Sequence, residues 1–197
     1  MAVPTTTTHA LPAGGGERPR NILTLTSLAL GSGGLMFFAA LVGAYVHLRN
    51  RIEHFHPEEA HLDQYLGNML VITLLLATVT AEWGHSAVRR GIRRQATTAY
   101  SITVGLGAAF LFLLWHTGVQ AGYGPASHEY GLVVSTMAIT LGIVVGLGVG
   151  FAALTLFRVL GGQVSAAEPD QARAAAWYWH FAAAAAVLVW YTVVVLK

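Results

Sequence analysis

Cysteine is absent from this 197-residue sequence, and charged residues make up only 10% of it. Without a thiol the chain has no disulfide framework, no thiolate metal site and no dithiol redox pair. A soluble globular domain carries about 25% charged residues, so the shortage of charge argues against an ordinary soluble protein. The net charge of +2 does not indicate a nucleic-acid partner, and we expect none.

Catalytic signatures are also missing. The sequence contains no phosphate-binding glycine loop, no nucleophile elbow, no HExxH zinc motif and no paired-carboxylate site. We therefore predict no catalytic residue, and no metal or cofactor site, in this chain.

Long apolar segments are what the sequence has instead. Hydrophobic residues make up 55% of it, and the mean hydropathy is +0.58. A helix needs about 20 apolar residues to cross a bilayer, and five segments are long enough: 22–48, 65–88, 98–119, 130–158 and 175–196. The predicted fold is all-α, an integral membrane bundle of five transmembrane helices over residues 21–197. Residues 1–20, rich in Thr, Pro and Gly, are predicted to be a disordered cytoplasmic tail.

Basic residues predict the orientation of the spans. Arginines precede the first span, follow the second and flank the connection between the fourth and fifth (Arg18, Arg20, Arg89, Arg90, Arg93, Arg94, Arg158 and Arg173), whereas the other side has only Arg49, Arg51 and Lys197. Since positive residues favour the cytoplasmic side, we expect a multi-pass protein with a cytoplasmic N-terminus and an external C-terminus.

Small residues in the spans predict close helix contacts, because helices in lipid associate by close packing. Gly142, Gly146 and Gly150 recur every four residues on the fourth span, and Ala182–Ala186 follow one another on the last. We predict that the three glycines pack inside the bundle. The alternative is that one such surface docks another membrane subunit.

Ionisable residues near the membrane suggest two further roles. Glu82 and His85 lie three residues apart and could share a face with His180. Glu82 is either an interfacial acid close to Arg89 and Arg90 or, with His85, part of a proton-handling group. Two histidines on facing helices can also hold a haem iron, so the pairs His47–His116 and His85–His180 leave open a small bis-histidine haem b membrane protein.

Three sequence stretches resemble a known family. "WYWHF" (Trp177–Phe181) resembles the start of the final helix of subunit III of haem-copper terminal oxidases, which carries a Tyr/Trp-Trp-His-Phe-x-Asp motif. "LMFFAALVGAYVHLR" (Leu35–Arg49) is similar to the family's Glu-x-x-Phe-Phe stretch, and "GHSAVRRG" (Gly84–Gly91) resembles the end of its next helix, which also contains two glycines with an alanine between them. Five spans match the short bacterial form of the family, which lacks the first two of seven helices.

The resemblance implies a non-redox accessory subunit, with haem and copper in the partner subunits I and II rather than in this chain. It implies a place in the plasma membrane of a bacterium and contacts with phospholipids. Trp177, Tyr178, Trp179, His180 and Phe181 would be structural or lipid-contacting. The early part of the first span would form the subunit interface, with Gly31, Gly33, Gly34, Phe37 and Phe38.

Several polar positions of the family are apolar here. The membrane carboxylate before "LMFF" falls at Gly34, the His-Gly-x-His pair falls at Leu141 and Val144, and the Asp of the last motif falls at Ala183. These replacements favour an atypical oxidase as host. The alternative host is a related nitric oxide reductase.

Overall fold

The computed structural model describes residues 22–57, 63–164, 166 and 169–196. The predicted tail, 1–20, lies outside these residues. Five α-helices follow one another: α1 (Ile22–Arg51), α2 (Gln64–Arg89), α3 (Arg93–Gln120), α4 (Glu129–Leu160) and α5 (Asp170–Trp190), the last continuing as a π-helical turn, Tyr191–Val195. All five are long and apolar enough to cross a membrane. The prediction of an all-α membrane bundle with five spans is confirmed.

The helices extend beyond the apolar segments that predicted them. α3 begins at Arg93 and α5 at Asp170, about one turn before the predicted starts. These first turns contain polar residues that can face water at the membrane surface while the backbone is already helical. Hydropathy therefore locates the buried part of a transmembrane helix and misses its ends.

Local signals explain where the helices begin and end. The carboxylate of Asp63 accepts a hydrogen bond from the Tyr65 amide at 2.8 Å and caps α2, and the His128 ring accepts one from the Gly131 amide at 2.9 Å and caps α4. Gly91, at φ 70°, turns the chain between α2 and α3, a conformation that glycine adopts without strain.

α5 is the centre of the bundle. It packs against α1, α2 and α4, while α3 packs against α2 and α4. α1 is the peripheral helix, since α5 is its main neighbour and α4 a minor one. One end of the bundle holds the start of α1, the α2–α3 turn and the α4–α5 connection, and we call it the arginine end. The other holds the α1–α2 and α3–α4 connections, and we call it the opposite end.

A side chain from α5 fastens the start of α1. The Asp170 carboxylate accepts hydrogen bonds from the Leu23 amide at 3.0 Å, the Thr24 amide at 3.3 Å and the Thr24 hydroxyl at 2.5 Å. It thereby satisfies two of the backbone donors that every helix leaves unpaired at its N-terminus. The contact joins residues 146 or 147 positions apart in sequence, and it was not predicted.

Candidate functional site at the WYWHF segment of α5

Trp179 is the central side chain of the segment and is fully buried. Its indole lies where α3 and α4 both present a glycine. A methyl group added at Gly107 would come within 2.8 Å of the ring, and one added at Gly148 within 3.7 Å. The Trp179 carbonyl accepts a hydrogen bond from the Thr78 hydroxyl of α2 at 3.1 Å. Trp179 therefore contacts three other helices: α2, α3 and α4.

Tyr178 adds a second contact with α4, and Phe181 extends the contacts of the segment to α1. The Tyr178 hydroxyl donates to the Val144 carbonyl of α4 at 2.8 Å, and its ring lies against Gly148. Phe181 points the other way, into α1, where its ring covers Gly31 and Gly34. An added methyl group at Gly34 would lie 2.5 Å from the tip of this ring. The two glycines leave the space that Phe181 fills.

Three residues of the predicted subunit interface, Gly31, Gly34 and Phe38, face the inside of this chain. Gly31 and Gly34 pack inside the chain against α5, and Phe38 belongs to its core at 1% exposure. Helical periodicity places these three on one face of α1, three and four residues apart. The glycine at the position of the family's carboxylate, Gly34, thus has a packing role here.

Gly33 and Phe37 lie on the other face of α1. A methyl group added at Gly33 would meet nothing within 4 Å, and Phe37 is 51% exposed. Met36, at 74%, is exposed beside them. This exposed face of α1, containing Gly33, Met36 and Phe37, is the part of the predicted interface that remains open to a partner.

Of the three glycines predicted to pack inside the bundle, Gly142, Gly146 and Gly150, only Gly142 has a close neighbour on another helix among the described residues. Gly142 approaches Leu114 of α3, but nothing in the described residues lies within 4 Å of a methyl group added at Gly146 or Gly150. Gly148 of α4 is buried, and it is offset by about 160 to 200° from Gly146 and Gly150 around the helix. The every-fourth spacing therefore marks a face of α4 on which Gly146 and Gly150 have open space beside them.

His180 and Trp177 lie on the exposed side of α5. The His180 Nδ1 donates to the Ala176 carbonyl at 2.9 Å, so this hydrogen bond stays within α5. His180 lines a groove between α2 and α5 that also contains Thr78, Glu82 and Trp83. Glu82 and His180, predicted to share a face, therefore line the same groove.

His85 lies apart from that groove. It is buried at 8% exposure, and its Nδ1 is 3.2 Å from the Glu82 carboxylate. Its Nε2 is buried with no hydrogen-bond partner among the described residues. The groove is lined by His180 and not by His85, so the structure does not bring these two histidines to a shared cavity.

The second predicted histidine pair is not brought together by helix packing. His47 is exposed near the end of α1, a helix that packs on α5 and α4. His116 is exposed on α3, which packs on α2 and α4, and it hydrogen-bonds to Gln120 one turn further on at 3.3 Å. His47 and His116 therefore lie on helices that are not main packing neighbours, whereas bis-histidine haem ligation requires facing helices.

Sequence reasoning missed Gly107 and Gly148, the two glycines against which the Trp179 ring packs. Both are glycines in the interior of a helix, where glycine costs about 1 kcal/mol relative to alanine. That cost is itself a signal of close packing. Gly142, Gly146 and Gly150 form a regular four-residue pattern in the sequence, and Gly148 does not belong to it. The pattern therefore gave no indication that Gly148 is the glycine that packs against α5.

These features define a class of protein: a polytopic helical membrane protein whose spans are held by an aromatic segment on the last helix. Within that class, the sequence pattern of the family described as Cytochrome c oxidase subunit III matches residues 34–196. The chain belongs to this family.

Named relatives agree with the family match. The chain is 34% identical over 154 residues to cytochrome c oxidase subunit 3 of Lumbricus terrestris, covering 75% of this chain and 60% of the relative. It is 29% identical over 184 residues to the same subunit of Heterololigo bleekeri, covering 88% and 67%. For Strongylocentrotus purpuratus the identity is 32% over 121 residues, covering 61% and 46%. The match therefore spans roughly half to two thirds of these relatives.

Proposed function

We propose that this protein is a non-redox accessory subunit of a haem-copper terminal oxidase, in which partner subunits of the subunit I and subunit II type hold the haem and copper. The observation that carries the proposal is the family match over residues 34–196, which contains the whole WYWHF segment and, apart from Gly31, the residues that pack against it. In this role the chain supports assembly and stability, since the contacts of its WYWHF segment are packing contacts and hydrogen bonds to backbone carbonyls.

We propose the exposed face of α1 as the contact with the catalytic subunit. α1 is the helix least covered by the rest of the chain. In its most apolar stretch of 18 residues 11% of the residues are buried, whereas 39% are buried in the corresponding stretch of α5. Its small residue Gly33 would allow a partner helix to approach closely, and Met36 and Phe37 supply apolar surface. Membrane helices associate by such close packing.

The arginine end is proposed to face the cytoplasm of a bacterium. Arg89, Arg90, Arg93 and Arg94 surround the α2–α3 turn, and all four are exposed. The distribution of arginine in short loops sets the orientation of a membrane protein. The groove containing Thr78, Glu82 and His180 then opens near the cytoplasmic leaflet, where Trp177 and His180 would contact phospholipid.

Purification of a tagged chain from its native membrane tests this function. We expect subunits carrying haem and copper to co-purify, with dioxygen reduction by the complex. A complex that reduces nitric oxide but not dioxygen would support the reductase as host. Haem b bound to the isolated chain would instead favour the bis-histidine alternative and contradict the accessory role.

A matched pair of substitutions tests the interface. Gly33→Leu and Gly146→Leu add the same side chain at positions that are open within this chain, one on α1 and one on α4. We expect Gly33→Leu to release a folded subunit from the complex and Gly146→Leu to leave it bound. The reverse result would place the partner on α4, along the face that contains Gly146 and Gly150.

A further inference from the structure

Glu82 is the only acidic residue in the interior of a helix among the described residues. The other acidic residues of the five helices, Glu129 and Asp170, are the first residues of α4 and α5. Glu82 precedes Arg89, the last residue of α2, by roughly 10 Å along the helix axis. The headgroup layer on each side of a bilayer is only about 5–8 Å thick. With Arg89 at the membrane surface, Glu82 therefore lies at the depth of the lipid hydrocarbon.

The Glu82 side chain points out of the bundle and is 53% exposed. Its neighbours on the same face of α2 are apolar, with Val79 at 65% exposure and Leu75 at 46%. An ionisable residue within a membrane span almost always faces the interior of a bundle or a water-filled cavity. The exposed carboxylate therefore indicates that another polar group covers this face of α2 in the assembled protein.

The chain itself gives the carboxylate one charged partner. The His85 Nδ1 lies 3.2 Å from a Glu82 carboxylate oxygen, and this is the only ion pair that the described residues provide. Because His85 is buried, the contact comes from the inner side of α2. The outer side of the carboxylate is left open, and no lysine or arginine of the described residues pairs with it.

The carboxylate lies in a long groove on the outside of the bundle, which we call the α2–α5 groove. Thr78 and His180 line its whole length, Glu82 and Ser86 line the part nearer the arginine end, and Leu75 and Ala184 line the remainder. From Leu75 to Ser86 the groove extends over roughly 17 Å, or about three helical turns. It is therefore long enough to hold several turns of another helix.

Small side chains form the floor of the α2–α5 groove. Thr78 is 8% exposed, and its hydroxyl is held by the Leu74 and Trp179 carbonyls at 2.9 and 3.1 Å. Ala184 is exposed on the α5 side. Residues of this size allow the backbone of a further helix to approach closely. Val79 and Leu188, both exposed, supply apolar walls.

We propose that the α2–α5 groove holds a transmembrane helix of a partner protein, and that a lysine or arginine of this helix pairs with Glu82. The groove supplies close packing over about three turns, and the carboxylate fixes the depth of the partner's basic residue. Opposite charges attract most strongly where the dielectric constant is low, as it is at this depth. The groove is distinct from the exposed face of α1, and the inference holds for either host enzyme.

The position of the charge distinguishes a protein helix from lipid as the occupant. An acyl chain fits the apolar part of the groove but carries no cation. The ammonium groups of lipids lie in the headgroup layer, roughly 10 Å nearer the arginine end than Glu82. A basic side chain on a helix can be fixed at the depth of the carboxylate. A partner helix would therefore displace the phospholipid that otherwise contacts His180.

Photocrosslinking in native membranes that contain the intact complex tests the proposal. A diazirine amino acid replaces Val79, which lines the groove, or Phe112, which is 71% exposed on α3. We expect the probe at Val79 to crosslink one transmembrane peptide with a lysine or arginine inside its apolar stretch. The probe at Phe112 should yield at least tenfold less of this peptide.

Two substitutions, each with a matched control, make the test specific. Glu82→Gln removes the charge but keeps an oxygen that can accept a hydrogen bond from His85, and it should reduce the crosslink about tenfold. Glu129→Gln, at the exposed start of α4, should not. Ala184→Leu fills the floor of the groove and should also reduce the crosslink, whereas Ala109→Leu, at an exposed alanine of α3, should not. An unchanged Tm of each purified variant shows that it remains folded.

An exchange of charges completes the experiment. Glu82→Lys should abolish the crosslink, and replacing the partner's basic residue by glutamate should restore it. A probe at Val79 that captures only lipid would refute the proposal, as would a crosslinked peptide without a basic residue in its span. A crosslink that is unchanged in Glu82→Gln would refute the ion pair. None of these results bears on whether the protein belongs to an oxidase complex, which co-purification tests separately.

Discussion

The position of Trp179 between α3 and α4 predicts opposite effects for two alanine substitutions on α3. At Gly107 a methyl group would collide with Val149 and would lie 2.8 Å from the Trp179 ring, whereas at Gly105, two residues earlier, it would meet nothing within 4 Å. Trp179 is fully buried, so its indole has no free space into which to move. Gly105→Ala is thus a matched control for Gly107→Ala.

The magnitudes follow from two opposing effects. Replacing glycine by alanine within a helix favours folding by about 1 kcal/mol, and this gain applies at both positions. Forcing an extra methyl group into a packed core costs about 1–3 kcal/mol, and this cost applies at Gly107 alone. The gain from replacing glycine by alanine in a helix is the same for both variants, so it cancels when their stabilities are compared. Gly107→Ala should therefore be less stable than Gly105→Ala by about 1–3 kcal/mol.

Thermal unfolding of the purified protein in detergent, followed by tryptophan fluorescence, measures this difference. For a chain of this size each kcal/mol shifts Tm by about 2–4 °C, so the two variants should differ by roughly 2–12 °C. Adding Val149→Ala to Gly107→Ala should recover part of the loss, because it removes the methyl group nearest the collision. Equal Tm values for the two single variants would refute the packing of Trp179 against Gly107.

Three further predictions concern other contacts. Asp170→Ala removes the carboxylate that caps α1 and should cost about 1–2 kcal/mol, measured as a lower Tm and faster proteolysis at the start of α1. His180→Ala should cost less than about 1 kcal/mol, measured as Tm, because the lost hydrogen bond lies within one helix and is exposed. Burial raises the pKa of Tyr123 from 10.0 to about 12. The contribution of the neutral phenol to the free energy of unfolding should therefore be fully present below pH 10 and should be lost as the pH rises towards 12. Tyr123→Phe should reduce that alkaline loss in a pH titration of Tm.

For each of these three predictions there is one result that would contradict it. Asp170→Asn would be expected to keep much of the cap, so a loss equal to that of Asp170→Ala would point to a different role for the carboxylate. A large fall in Tm for His180→Ala would show that the imidazole bonds to something other than Ala176. An alkaline stability loss that is unchanged in Tyr123→Phe would assign that titration to other groups.

Sequence alone determined the architecture at the level of spans. The five apolar segments are a linear property of the chain, because a transmembrane helix must satisfy its backbone hydrogen bonds internally and keep about 20 apolar residues in lipid. The WYWHF segment and the stretch beginning at Leu35 predicted the family. Those inferences needed no knowledge of how the helices are rotated.

Only the tertiary structure decided which face of each helix points inward. It placed Gly34, Gly107 and Gly148 against aromatic rings of α5 and left Gly33, Gly146 and Gly150 open. In a soluble protein the polar face of a helix identifies its outer side. In a bilayer the lipid is as apolar as the bundle interior, so hydropathy is nearly uniform around each helix, and its rotation is set by the fit of side chains such as Trp179 and Phe181 into the glycines of their neighbours.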